Sequence, residues 1–158
     1  MNYWLMKSEP DVFGIDTLKK RSGKTAPWDG VRNFQARNFM RAMQSGDLAF
    51  FYHSSCPEPG VVGIMKIARA AYPDHTAWDR HGDHYDPKST PENPLWSMVD
   101  VKFVSAFKQT VSLETLKAHR ALKNMRLVQR GNRLSVMPVM KDEWDIILQL
   151  ADAPPPKK

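Results

Sequence analysis

Apolar and polar positions along this chain of 158 residues fall into two periods. "YWLMK" (3–7), "DLAFFYHS" (47–54) and "VVGIMKIARAAY" (61–72) are short apolar runs closed by turn residues, the mark of buried strands. In "LWSMVDVKFVSAF" (95–107), Val99, Val101 and Phe103 alternate with Asp100 and Lys102, as a half-buried strand requires. The turn "CPEPG" (56–60) between the second and third runs predicts a hairpin, with Gly63 marking a bulge or a close backbone approach. Within "WDGVRNFQARNFMRAMQSG" (28–46) the period becomes helical. Ala36, Phe39, Met40 and Met43 lie at i, i+3, i+4 and i+7, Asn33 is placed to cap the start, and Gly46 to cap the end. Phe34 points away from that stripe.

Shorter helices are predicted near 16–21, over "VSLETLKAH" (111–119) and over "LKNMRLVQRG" (122–131). "NRLSVMPV" (132–139) reads as a last strand whose Pro138 suits an edge, and "KDEWDIILQLA" (141–151) as a helix anchored in the core by Trp144. "DAPPPKK" (152–158) reads as a disordered Pro/Lys tail, which leaves one domain over 1–151. Strands and short helices interleave without regular βα alternation. This argues against a doubly wound nucleotide fold and for an α+β class, a small mixed β-barrel or curled sheet flanked by short helices.

Between the third and fourth strands runs "PDHTAWDRHGDHYDPKSTPENP" (73–94), a loop long enough to be a wall of a site. Its His81, His84, Asp79, Asp83 and Asp86 could be read as metal ligands, but loops of this composition are commonly only hydrated, and no metal or other cofactor is expected. The formal charge of +6 favours an anionic partner such as nucleic acid. Cys56 is the single cysteine, so neither an internal disulfide nor a thiolate zinc cluster is available. The H-x-E with P-C-x-x-C pattern of zinc deaminases is absent, as are GxGxxG, GxxxxGK[ST] and GxSxG. The N-terminal apolar run meets Lys7, Glu9 and Pro10 too soon for a signal peptide or a spanning helix. A soluble protein without membrane contact is expected, cytoplasmic, or nuclear in a eukaryote, and monomeric.

Polar residues of special geometry recur where strands end, which is where pockets open. Trp28, Tyr52 and Trp96 offer aromatic faces, and Ser8, Asn33, His53, Ser54 and Ser135 offer hydrogen-bonding groups. That inventory suits a flat ligand with a polar edge. A nucleobase stacked on an aromatic ring gains about 1–3 kcal/mol while amides and hydroxyls read its edge. Gly30 would allow close backbone approach, and Arg32, Arg37 and Lys7 could follow phosphate charge. Trp28 stands in a polar turn before a helix, a poor place for a core residue. Trp96 and His53 read as well as core residues as ligand contacts, and Glu9, Asp29 or His53 could serve as an acid or base.

The blocks "YWLMKSEP", "WDGVRNFQARNFMR", "GDLAFFYHSS", "YDPKST" with "LWSMVDVKF", and "RLSVMPV" with "EWDIIL" resemble the EVE domain family, including its thymocyte nuclear protein-like members, in order and over 3–150. The resemblance implies a PUA-like small mixed β-barrel and a non-catalytic reader of modified bases in nucleic acid, with modified cytosine such as 5-methylcytosine in DNA as the leading ligand. Carried over by motif, the pocket would draw on Lys7, Ser8, Glu9, Trp28, Val31, Arg32, Asn33, Tyr52, His53, Ser54, Trp96 and Ser135. The alternatives are a glycosylase-like enzyme acting on the same flipped base, and a reader of modified RNA.

Overall fold

A computed structural model describes residues 1–152, so all of the expected Pro/Lys tail at 152–158 except Asp152 lies outside the described residues. Six strands form one mixed sheet: β1 (Tyr3–Ser8), β2 (Thr25–Trp28), β3 (Leu48–His53), β4 (Gly60–Pro73), β5 (Ser97–Ser112) and β6 (Val136–Val139). Their spatial order is β2-β5-β4-β3-β1-β6. Only β1 and β3 run parallel, in the register Tyr3 with Leu48 to Ser8 with His53. Parallel neighbours need a crossover of a dozen or more residues. Here it carries α1 (Pro10–Phe13), α2 (Ile15–Lys20), β2 and α3 (Phe34–Ala42). Helices α4 (Leu113–Ala118) and α5 (Lys141–Leu150) follow the long β4–β5 hairpin.

Both faces of the sheet are covered, which explains why β1 and β3 are continuously apolar rather than alternating. Trp4, Met6, Ala49 and Phe51 join Ile15 and Leu18 of α2 and Ala36 and Met40 of α3 in one core. Leu5, Phe50 and Tyr52 point the other way, against Leu116, Leu122, Trp144 and Ile147. Trp144 stacks on Phe50 at 3.8 Å between ring centres. The predicted apolar stripe of α3 is buried at Ala36, Met40 and Met43 and packed at Phe39. Asn33 caps the helix, its side-chain oxygen accepting from the Ala36 N–H at 2.9 Å.

Four sequence expectations change. The sheet does not close into a barrel: β2 pairs only with β5 and β6 only with β1. Each of these edge strands is four residues long and carries a proline, Pro27 or Pro138, which removes a ladder donor and discourages further pairing. The expected helix at 122–131 is instead two 3₁₀ turns, Arg120–Leu122 and Arg126–Val128. There the Gln129 and Asn132 amides donate to the Lys123 and Arg126 carbonyls, competing with helical bonds. Gly46 is not the cap of α3, which ends at Ala42 with Met43 as its cap. With φ of +97° it turns the chain into β3, and its N–H bonds the Ile67 carbonyl at 2.8 Å. Trp28 ends strand β2 rather than standing in a polar turn, because the edge strand 25–28 is too short and proline-broken to leave a periodic signal.

The bulge expected at Gly63 is present. Pairing with β3 jumps from Phe51–Gly63 to Tyr52–Val61, and a Cβ on Gly63 would lie 2.3 Å from both the Ile15 Cδ1 and the Ser105 oxygen. The bare backbone there lets α2 seat against the sheet.

Candidate functional site

A cavity of about 530 Å³ opens where the parallel pair β1 and β3 ends. This is within the range of small-ligand pockets. The end of β1 supplies Lys7, Ser8 and Glu9, α1 supplies Val12 and Phe13, and the end of β2 supplies Pro27 and Trp28. The turn into α3 adds Asp29, Gly30, Val31, Arg32 and Asn33, and Ser135 and His84 complete the wall with Arg21.

Its aromatic floor is packed into the core. Trp28 is 5% exposed and packs edge-on against Phe13 and Phe51, at 5.9 and 5.2 Å between ring centres. Phe13 is partly exposed, and Val12, 73% exposed, stands at the mouth. The Ser8 and Ser135 hydroxyls make no hydrogen bond within the described residues. Polar groups with free valences therefore face an aromatic surface, the arrangement that fixes a planar ligand by stacking and reads its edge.

Asp74 organises one side. Its side chain is fully buried. It accepts from the Gly30 N–H at 2.8 Å, from the Arg32 guanidinium at 3.0 Å, and from the Thr76 hydroxyl and N–H at 2.6 and 2.9 Å. Burial by itself would raise the Asp74 carboxyl, but the bonds from Thr76, Gly30 and Arg32 together hold it below the usual carboxylate range. Arg32 also donates to the Val31 and His84 carbonyls and to the Thr76 hydroxyl. All five of its N–H groups are thus engaged inward. Arg32 ties the loop at 73–94 to the turn before α3 and is not free to follow phosphates, which corrects that expectation. The loop is a wall of the site, as its length suggested, through the His84 ring set against Gly30.

Of the residues singled out in the sequence, Lys7, Ser8, Glu9, Trp28, Val31, Arg32, Asn33 and Ser135 line this one cavity, and Tyr52, His53, Ser54 and Trp96 do not. Strand alternation removes Tyr52: Phe51 faces Trp28, so Tyr52 points to the opposite core. His53 is turned to the start of α2, where its Nε2 accepts the Ile15 N–H at 3.1 Å, and burial lowers its pKa against a smaller opposing pull from Asp16. The Ser54 N–H extends the β1–β3 pairing by donating to the Ser8 carbonyl. Trp96 donates to Asp86 at 2.7 Å and has one face covered by Phe34, with ring centres 4.6 Å apart. Arg37 lies over Phe34 and donates to the Leu95 carbonyl at 2.8 Å. Phe13, Val12, Arg21, Pro27 and His84 were not legible as wall residues. The hints were the "SEPDVF" block that continues the first motif, for Val12 and Phe13, and the length of the 73–94 loop, which marked a wall without singling out His84.

Among the described residues no three His, Cys, Asp or Glu side chains are grouped to hold a metal ion, and no helix is long and apolar enough to cross a membrane.

An open six-stranded α+β sheet with a cavity of polar and aromatic side chains at its parallel strand ends defines a small pocket-bearing binding domain. The chain belongs to the EVE domain family, whose model matches residues 2–150. Thymocyte nuclear protein 1 of Mus musculus is 52% identical over 98% of this chain and 75% of its own length. A crystal structure of a protein from Pseudomonas syringae is 54% identical with a TM-score of 0.91, covering 94% of this chain and 99% of that one. The crystal structure of human THYN1 protein in complex with 5-methylcytosine-containing DNA is 49% identical with a TM-score of 0.91, covering 98% of this chain and all of that one.

Proposed function

We propose that this protein is a non-catalytic reader of modified cytosine in DNA, holding the extruded base in the cavity beside Trp28. The observation that carries the reading is the human relative solved with 5-methylcytosine-containing DNA, alike over the whole domain. The cavity supports it chemically. Trp28 and Phe13 supply ring faces for stacking, while Ser8, Asn33 and Ser135 supply hydrogen bonds for a base edge. Extruding a base costs a few kcal/mol, which stacking and edge contacts must offset. Arg21 at the cavity and Lys7 at the end of β1, its ammonium turned toward Tyr52, are the cations that would face the flanking phosphates in place of Arg32. The rim carboxylates Glu9 and Asp29 are exposed and make no side-chain hydrogen bond within the described residues, which supports binding over base chemistry. A reader of DNA works beside DNA, which in a eukaryotic cell places it in the nucleus.

Titration of Trp28→Ala with matched methylated and unmethylated oligonucleotides at fixed salt tests the reading. The variant is expected to lose at least tenfold in affinity for the methylated strand, about 1.4 kcal/mol, and with it the preference over the unmethylated one. Equal binding by variant and parent would refute it. Release of a free base from modified DNA, detected by mass spectrometry and abolished in Glu9→Gln, would instead favour an enzyme.

A further inference from the structure

On the opposite side of the sheet from Trp28, a second depression of about 570 Å³ is lined by Lys7, Lys117, Lys123 and Arg130 around Tyr52, Leu127 and neighbouring residues, with no carboxylate in its wall. The described residues contain two ion pairs, Arg32 with Asp74 and Lys141 with Asp145, so none of these four cations is neutralised by one. None makes a side-chain hydrogen bond within the described residues either. A low-dielectric concavity with one sign of charge focuses the field onto whatever anion enters it. Of the groove's neutral amides, Gln129 donates to the Lys123 carbonyl and Asn132 to the Arg126 carbonyl. The charge of the groove is wholly positive, which favours phosphate oxygens and carries no base code.

Groove and base cavity share Lys7. They are separated by the seam between β1 and the start of β6, where the Lys7 N–H bonds the Ser135 carbonyl at 2.8 Å. Ser135 lines the cavity and Asn132, three residues earlier, lines the groove. The Lys7 ammonium lies 5.5 Å from the centre of the Tyr52 ring, on the groove side. It is half-buried, and that burial lowers its pKa, so a phosphate beside it would relieve the cost of its charge.

We infer that this groove is the phosphodiester track for the same DNA strand whose base enters the cavity, the strand crossing the end of β1 beside Lys7 so that Lys117, Lys123 and Arg130 hold successive phosphates on one side of the read base. The inference rests on the reader function proposed above. It assigns affinity and specificity to opposite faces of one sheet.

The test compares Lys117→Gln/Lys123→Gln/Arg130→Gln with the parent in titrations of methylated and unmethylated oligonucleotides over a series of salt concentrations. The three side chains are exposed, so the fold is expected to survive, and thermal melting checks it. The triple variant is expected to bind both oligonucleotides about tenfold or more weakly at low salt, with a log K against log salt slope shallower by roughly 2 and an unchanged preference for methylation. The charge-conserving Lys117→Arg/Lys123→Arg/Arg130→Lys should keep the parental slope. A triple Gln variant with parental affinity and slope overturns the groove. Should the parent show no methylation preference while the slope still falls in the Gln variant, the groove stands and the base-reading proposal fails.

Discussion

At Gly30 two requirements coincide that other residue types cannot meet together. Its φ is +78°, and a Cβ there would sit 2.6 Å from the His84 Nε2, while its N–H is held by Asp74. Gly30→Ala is therefore expected to lose about 1–2 kcal/mol of stability from the left-handed backbone alone. It should also push His84 out of place and weaken DNA binding. Urea denaturation beside a binding titration reads both effects, and parental values in both would show that the turn tolerates a side chain. Asp74 and Arg32 illustrate the same economy. A buried carboxylate and a guanidinium with every donor used hold the cavity wall, so the proposed recognition would fall to Trp28, the serines and the cations nearby. In the long loop, the Asp74 and Asp86 carboxylates and the His84 backbone carbonyl fasten the segment down, through Gly30, Trp96 and Arg32.

Among the elements, α3 couples the core to the site. Its stripe of Ala36, Met40 and Met43 fixes it on the sheet, and its first turn brings Asn33 to the cavity rim. Asn33 caps the helix through its oxygen, and under the proposed function its amide would be offered to the ligand. Asn33→Ala is expected to cost about 1 kcal/mol of stability, whereas Asn33→Ser, which still caps, should restore most of it. Both substitutions should weaken binding to methylated DNA, since neither carries the amide. Chemical denaturation gives the first comparison and titration the second, and a Ser variant as unstable as Ala would mean the cap contributes little. Strand β2 plays the corresponding part for Trp28, carrying it from an edge of the sheet onto Phe51.

For the whole molecule, the sheet is the partition that matters, with the aromatic cavity on one face and the basic groove on the other. Its stability is expected to depend on pH through His53, which joins β3 to α2. His53 has a folded pKa below its usual value of 6.5, so the unfolded chain binds more protons in the window just under that value. Stability should then fall as pH drops through 6.5 and level off below the folded pKa, where His53 is protonated in both states and its acceptor nitrogen is lost. Thermal melting across pH 7.5 to 5 should show the decline in the parent and a flatter profile in His53→Gln. Equal slopes in the two proteins would assign the pH response elsewhere.

The chain's own pattern determined the strands β1, β3, β4, β5 and β6, the α3 stripe with its Asn33 cap, the Trp144 anchor and the use of the 73–94 loop as a wall, because burial on a repeating backbone imposes a period that hydrophobic residues must follow. The blocks that resemble the EVE domain family located most of the cavity, in Lys7 to Glu9, Trp28 to Asn33 and Ser135. Tertiary structure alone decided that the sheet stays open, that Tyr52 faces away while Phe13 and His84 come in, and that Arg32 turns inward to Asp74. These depend on contacts between segments tens of residues apart, and on which of two faces a side chain receives from strand register, neither of which leaves a local trace in the order of residues.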